Sequence, residues 1–194
     1  MTTNDRLEAI ARTYIRKLRP RAQAEIDWFA DRPSLEDAIE KAALAVNSRD
    51  KRYSHQRRLR KKALKQALGV LLAESAAIGK ARDFEALLRI VRTVVKIIPG
   101  LGPLYVYDTS LRIGARLNLF PRRVYLHAGT RAGARVLGLN YKADSLAPSV
   151  LPKEFRSLEP HELEDILCIF KGQFKALAHL RPTSNGDVSA KRAG

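Results

Sequence analysis

Apolar residues recur at every third or fourth position along most of this chain, the spacing of one face of an α-helix. The stretch from Asn4 to Leu18 carries such a face, and a second short helix is predicted from Arg21 to Ala30. Ser34, followed by two acidic residues, is typical of a helix N-cap, and its helix is expected to run to about Val46. Only Arg123 to His127 resembles a strand. The pattern therefore predicts an all-α fold.

The second half of the chain has the same helical character. Helices are predicted from Arg82 to Ile97, Pro103 to Leu117, Ala128 to Leu137 and Pro160 to Phe174, with a proline-containing loop from Tyr141 to Lys153. The first of these helices has a continuous apolar inner face. Its outer face carries a basic stripe made of Arg82, Arg89, Arg92 and Lys96.

A short turn, Ile98-Pro99-Gly100-Leu101-Gly102, joins two of these helices. Two helices joined by an apolar-Pro-Gly-apolar-Gly turn resemble the helix-hairpin-helix motif of DNA-binding proteins. In that motif the glycines let the backbone approach a phosphate, and the following helix N-terminus offers unpaired N–H groups and the positive end of its dipole. The resemblance implies a compact multi-helix domain built around the motif. It also implies a possible monovalent cation on the turn carbonyls, the one cofactor that the sequence suggests.

The charge balance indicates what such a site would bind. With 36 Lys and Arg against 20 Asp and Glu, the chain has a net charge of +16, which favours a polyanionic partner. Nucleic acid is expected, DNA before RNA and without sequence specificity; no membrane partner is expected, because the basic helices lack a broad exposed Trp/Phe face. The predicted contacts are Lys96, Gly100, Leu101, Gly102, Leu104, Arg112, Arg116, Arg122, Arg123 and Arg131.

A run of positive charge precedes the hairpin. From Arg49 to Lys65 there are nine basic residues and one acid, Asp50, and the spacing from Ser54 onward is helical. Five of these cations fall within an arc of roughly 140° on a helix. Such an arc either follows phosphates or faces water, and both interpretations stay open. The residues of this secondary basic track are Arg57, Arg58, Lys61, Lys62 and Lys65.

The order of segments after the turn extends the resemblance. Leu119 to Tyr125 is followed by a helix ending in Arg135 to Leu139, an order similar to the core of base-excision DNA glycosylases. Bifunctional members of that family carry a Schiff-base lysine where this chain has Leu104. The family's catalytic aspartate would fall near Arg122 or Arg123, and an arginine cannot act as the base. The resemblance thus implies binding without glycosylase chemistry.

No arrangement typical of catalysis or metal binding converges in the sequence, so no catalytic or metal residue is assigned. Two alternatives remain open. One is a divergent glycosylase, lyase or nuclease that uses Asp108, His127 or Glu154; the other is a basic protein-interaction module. His127 is otherwise expected to cap or pack at a helix start, and Asp108 to pair with Arg112 one turn later.

Two tyrosines and one cysteine complete the candidates. Tyr105 is expected to be exposed, where it would stack on a base, and Tyr107 to be buried. The single cysteine, Cys168, excludes an internal disulfide and a cysteine-rich zinc site. Its apolar neighbours favour a buried structural role.

The composition suggests three segments. Residues 1–48 are predicted to form an N-terminal helical extension, residues 49–180 the core domain with the hairpin, and residues 181–194 a disordered tail. The first residues lack a signal-like apolar region, and no run of about 18 apolar residues occurs. A cytoplasmic protein is therefore expected, associated with the nucleoid if the host is a bacterium.

Overall fold

The computed structural model describes residues 2–178, so the predicted tail at 181–194 lies outside the described residues. Within them the protein is mostly helical, with one small antiparallel sheet, which confirms the all-α class. The helices are α1 (Thr3–Thr13), α2 (Arg19–Ala30), α3 (Leu35–Ala43), α4 (Lys61–Ala73), α5 (Ser75–Gly79), α6 (Phe84–Val95), α7 (Pro103–Leu117), α8 (Ala128–Val136), α9 (Pro160–Ile169) and α10 (Lys171–Ala178). The strands β1 (Val124–Tyr125) and β2 (Ser145–Leu146) pair with each other.

Several helix starts follow directly from local sequence. Ser34 caps α3 by accepting a hydrogen bond from the backbone N–H of Asp37 at 3.1 Å, as predicted. Asp83 does the same for α6, accepting from Ala86 N–H at 2.7 Å. Pro160 stands in the first turn of α9, where its missing N–H costs no hydrogen bond. These short-range signals fix where the helices begin.

The apolar interior has two parts. The first is formed by α3, α4, α6 and α7 together with Phe29 of α2. The second joins α1 to β1, β2 and the helices α8, α9 and α10. Because α1 buries Leu7 and Ile10 in the second part, and Tyr14 just after it is buried there too, the first 48 residues divide between both parts of the interior.

Two close approaches hold α9 in the second part. A Cβ atom on Gly133 of α8 would lie 2.1 Å from the carbonyl oxygen of Leu167, so only glycine lets α8 pack this closely against α9. On its other side, Tyr14 donates its hydroxyl to Asp165 Oδ2 at 2.8 Å. The acidic first half of α9 therefore faces the interior of the protein.

Candidate functional site

The turn between α6 and α7 is closed by its own backbone. Ile98 N–H donates to the Val95 carbonyl at 2.9 Å, and Leu101 N–H donates to the Ile98 carbonyl at 3.4 Å. Gly100 has φ of +89°, in the left-handed region that favours glycine. The Leu101 side chain is buried, so it anchors the turn, and its N–H is already engaged. The prediction that Leu101 offers a free backbone donor is therefore corrected.

The first turn of α7 keeps its backbone donors free. Among the described residues, the N–H groups of Gly102, Leu104 and Tyr105 have no hydrogen-bond acceptor. Pro103, between them, has no N–H. Gly102 is the N-cap and provides no side chain that would satisfy these donors. This end of α7 thus combines three unpaired donors with the positive end of the helix dipole.

A cleft of about 810 Å³ opens beside this helix end. The turn and α7 form one wall, and the segment around Gln56 forms part of another. Basic residues from α6 and α8 contribute to its lining, whereas its interior is largely apolar and aromatic. The lining residues used below are His55, Gln56, Arg92, Lys96, Gly102, Leu104, Tyr107, His127 and Arg131.

The cations around the cleft differ in how they are held. Lys96 and Arg92 are exposed, and neither forms an ion pair with another described residue. Arg131 instead donates to the carbonyl of Tyr141 at 2.7 Å and lies 3.5 Å from Asp144, so it anchors the loop after α8. Arg92 belongs to the predicted basic stripe but was not among the predicted contacts. The sequence feature that could have identified Arg92 as a contact is its position one turn before Lys96 on the outer face of α6.

Arg112 is not available to a phosphate. Its side chain is 9% exposed, Nη1 donates to Gln56 Oε1 at 3.0 Å, and the guanidinium lies 3.9 Å from the ring centre of Tyr53. Its Nη2 lies 3.5 Å from Asp108, which confirms the predicted pair. Eight residues of helix place Arg112 about 12 Å from Leu104, away from the free donors. The structure thus gives Arg112 a role inside the protein.

The remaining predicted arginines lie at a distance from the helix start or have internal partners. Arg116 is about 18 Å along α7 from Leu104, and its Nε is buried without a partner among the described residues. Arg123 donates Nε to Ser145 Oγ at 2.8 Å and so supports β2. Arg122 is exposed. Of these three, Arg122 and Arg123 are exposed, and Arg123 is held by its hydrogen bond to Ser145.

The secondary basic track starts at the wall of the cleft. All five of its cations are exposed, and none forms an ion pair with a described residue. A groove of about 480 Å³ on the other side of His55 adds further positive charge. Three of its cations, Arg49, Lys51 and Arg52, belong to the charge run that begins at Arg49, but they were not among the predicted contacts. The basic residues of this groove are Arg21, Arg49, Lys51, Arg52 and Arg57.

The residues considered for catalysis have structural partners. His127 is buried and caps α8, its Nδ1 accepting from Gly129 N–H at 3.3 Å, while Nε2 donates to Glu164. Burial raises the pKa of Glu164 above its usual range. Asp108 Oδ2 is 2.8 Å from His55 Nε2 and accepts from Gln56 at 2.9 Å. The predicted capping role of His127 is confirmed.

The structure also gives the positions of Glu154, Tyr105 and Tyr107. Glu154 does not line the cleft. Tyr105 is 2% exposed and donates its hydroxyl to the carbonyl of Ala43 at 2.8 Å, so the expectation that it is exposed was wrong. Tyr107 is 3% exposed, as predicted.

Comparison with protein-family models, with curated proteins and with solved structures finds no match to this chain. Within residues 2–178, no helix combines the length and apolar character needed to cross a membrane. The same residues contain no group of three or more His, Cys, Asp or Glu side chains arranged to hold a metal ion.

Proposed function

We propose that this chain binds the backbone of nucleic acid, with double-stranded DNA as the favoured form, without sequence specificity and without catalysis. The observation that carries the proposal is the start of α7, where the N–H groups of Gly102, Leu104 and Tyr105 have no acceptor among the described residues. Helix starts of this kind bind phosphate through their donors and their dipole. The net charge of +16 makes a polyanion the natural source of that phosphate.

The surroundings of the helix start support a helix-hairpin-helix interpretation of the turn. Gly100 in the left-handed region and the buried Leu101 give a tight connection between two packed helices. Lys96 and Arg92, on the same cleft, supply charge that no described carboxylate neutralises. The backbone donors would hold one phosphate, and these cations would hold the neighbouring phosphates. Such a contact involves the nucleic-acid backbone and not the bases.

The secondary basic track extends the proposed surface. The segment from Ser54 to Gln56 reaches the cleft, and the cations from Arg57 to Lys65 follow it on the exposed side of the chain. Non-specific binding through such contacts has a dissociation constant of about 10⁻⁴ to 10⁻⁶ M at physiological salt and weakens steeply as salt rises. We also propose that the carbonyl groups of the turn hold a monovalent cation.

The test is the Gly102→Asp variant. Gly102 has an extended backbone, with φ of −95° and ψ of −174°, and a Cβ there meets nothing within 4 Å. An aspartate at this N-cap would accept hydrogen bonds from the free donors and place a negative charge at the site, so the helix is retained or stabilised. We expect duplex binding to weaken by about tenfold or more in a fluorescence-anisotropy titration.

Two control variants distinguish an effect at the hairpin from an effect of net charge. Gly102→Ala leaves the donors free and should bind like the unaltered protein. Gly172→Asp makes the same substitution at an exposed position of α10 with nothing within 4 Å of the new Cβ. Equal weakening by Gly102→Asp and Gly172→Asp would assign the effect to net charge and remove the hairpin from the proposal.

Two other outcomes would replace the proposal. Turnover of duplexes containing damaged bases or abasic sites, abolished by Asp108→Asn or His127→Ala, would make the chain an enzyme. Capture of a protein partner that survives nuclease treatment, with no binding of duplex, would make it a protein-interaction module.

A further inference from the structure

A second, smaller cavity lies between α2, α7 and α9. Its volume is about 160 Å³, space for about five water molecules or a ligand of about five non-hydrogen atoms. One side is apolar and includes Ala22, Ile26 and Phe29 of α2. The other side is rich in carboxylates from α7 and α9. Although the chain as a whole is strongly basic, the charged side chains of this cavity are four carboxylates and one arginine.

Three carboxylates on the acidic side each keep one oxygen without a hydrogen bond from the described residues. Asp108 receives all its partners on Oδ2, which leaves Oδ1. Glu164 pairs with His127 through Oε1, which leaves Oε2. Asp165 accepts from Tyr14 on Oδ2, which leaves Oδ1. A fourth carboxylate, Glu25, differs because Ser48 and Tyr53 satisfy both its oxygens.

Tyr107 provides an independent observation. Its side chain lines the same cavity and is 3% exposed, yet its hydroxyl has no hydrogen-bond partner among the described residues. Burial, together with Glu164 and Asp165, raises the pKa of Tyr107 well above its usual value. A buried hydroxyl without a partner is costly, so this one indicates a polar occupant of the cavity.

The positive groups of the lining are already committed. Arg112 is held by Gln56, Asp108 and the ring of Tyr53, and His55 pairs with Asp108. Burial lowers the pKa of His161, so this ring is neutral at neutral pH. The free groups are therefore three carboxylate oxygens, the Tyr107 hydroxyl and Nδ1 of His161, which has no partner among the described residues. Three of these five groups belong to carboxylates, which disfavours an anion. Carboxylate oxygens and a phenol hydroxyl can all accept hydrogen bonds, so a cation with N–H donors fits this lining.

We propose that this cavity binds a small primary ammonium ion with a short apolar body. A primary ammonium has three N–H donors and no acceptor, which matches the three free oxygens of Asp108, Glu164 and Asp165. Its carbon chain lies against the apolar wall of α2. The site does not depend on the hairpin, since it is separate from the free donors of α7.

Three compounds of equal size test the proposal. The full-length protein is titrated calorimetrically with n-butylammonium, tetramethylammonium and 1-butanol. The first has both charge and N–H donors, the second has the charge alone, and the third is neutral. We expect one saturable site for n-butylammonium, with affinity at least about tenfold higher than for either of the others. No saturable binding would mean that the cavity holds water only. Equal binding of tetramethylammonium would mean that the cavity selects charge and not N–H donors. Either result overturns the proposal.

Variants locate the site. At a pH above the Asp165 pKa of about 7, Asp165→Asn should weaken n-butylammonium binding by about tenfold, because the charge is lost while the amide oxygen still accepts from Tyr14. Asp50→Asn, at a side chain that is 89% exposed, is the matched control and should bind normally. Tyr107→Phe removes a hydroxyl without a protein partner, so the fold is retained and a several-fold loss of affinity is expected. Unchanged affinity in both Asp165→Asn and Tyr107→Phe would place the amine elsewhere.

The hairpin variant separates this proposal from the proposed function. Gly102→Asp should lose duplex binding and keep its affinity for n-butylammonium. Duplex binding can be absent while n-butylammonium binding is present, and the reverse also holds, so the two proposals are tested independently.

Discussion

Gln56 and Arg112 are hydrogen-bonded to each other across 56 positions of sequence, Nη1 of the arginine donating to Oε1 of the glutamine at 3.0 Å. The same guanidinium stacks on Tyr53 and lies 3.5 Å from Asp108. These contacts fix the segment before the secondary basic track onto α7. The position of the track relative to the hairpin thus depends on buried polar contacts as well as on apolar packing.

The first prediction concerns this network. Arg112→Met should destabilise the protein by about 3 kcal/mol, because the half-buried carboxylate of Asp108 loses its neighbouring cation and the Gln56 side-chain oxygen loses its donor. The measurement is the free energy of unfolding in urea. Arg122→Met, at an exposed side chain, should change it by less than about 0.5 kcal/mol. If Arg112→Met instead weakened duplex binding at unchanged stability, the arginine would be a phosphate contact after all.

The second prediction compares two buried tyrosines on the same helix. Tyr105→Phe leaves the Ala43 carbonyl without its donor and should cost about 1–2 kcal/mol of unfolding free energy. Tyr107→Phe removes a hydroxyl that has no described partner, so stability should stay within about 0.5 kcal/mol or rise. Urea denaturation of both variants measures the difference. Equal losses would indicate that the Tyr107 hydroxyl has a partner in the folded protein.

The helices and their caps were predictable from the sequence because their signals are local. The apolar spacing, the cap at Ser34 and the first-turn proline Pro160 depend on residues within one or two turns. The short strand at Val124–Tyr125 lies within the one stretch that resembled a strand. The exposure of Tyr105 was mispredicted because a carbonyl 62 residues away accepts its hydroxyl.

The charged side chains were less predictable for the same reason. Arg123 and Arg131 had no predicted partner, and Arg112 had only Asp108, yet each has partners that only the folded chain brings near. The acidic residues at the start of α9 lie at the positive end of the helix dipole, which is a favourable position. Packing of α1, α7 and α8 around α9 turns Glu164 and Asp165 inward and forms the small cavity. A local rule predicts which end of a helix a charge prefers, but not which face is buried.

The third prediction tests the exposed cations of α6. Replacing both Arg92 and Lys96 by Gln should reduce the slope of log binding constant against log salt by about 2, because each cation that neutralises a phosphate contributes about one unit. Duplex titrations at several salt concentrations measure the slope. The control removes two exposed cations, Arg16 and Lys17, which follow α1 and do not line the cleft. Equal slopes for the two double variants would show that the cleft is not the contact surface.

The fourth prediction follows from Asp165, which titrates near neutrality. Burial and the neighbouring Glu164 raise its pKa from 3.8 to about 7, with smaller contributions from Asp108 and Glu162, although Tyr14 donates to the carboxylate. In the unfolded chain the carboxyl has its ordinary pKa, so the folded protein binds more protons between pH 3.8 and about 7. The stability that this proton contributes is fully present below the lower value and is lost as the pH rises through the higher one.

Asp165→Asn removes this dependence, because the amide stays neutral and still accepts from Tyr14. The unfolding free energy of the unaltered protein should therefore fall more between about pH 5.5 and about pH 8 than that of Asp165→Asn. Urea denaturation at the two pH values gives both differences, and comparing them cancels the titration of groups common to both proteins. Asp144→Asn, at a side chain that is 90% exposed, should behave like the unaltered protein. Parallel pH dependence in Asp165→Asn and the unaltered protein would mean that Asp165 titrates as an ordinary surface carboxyl, and the acidic wall of the small cavity would then be solvated by bulk water.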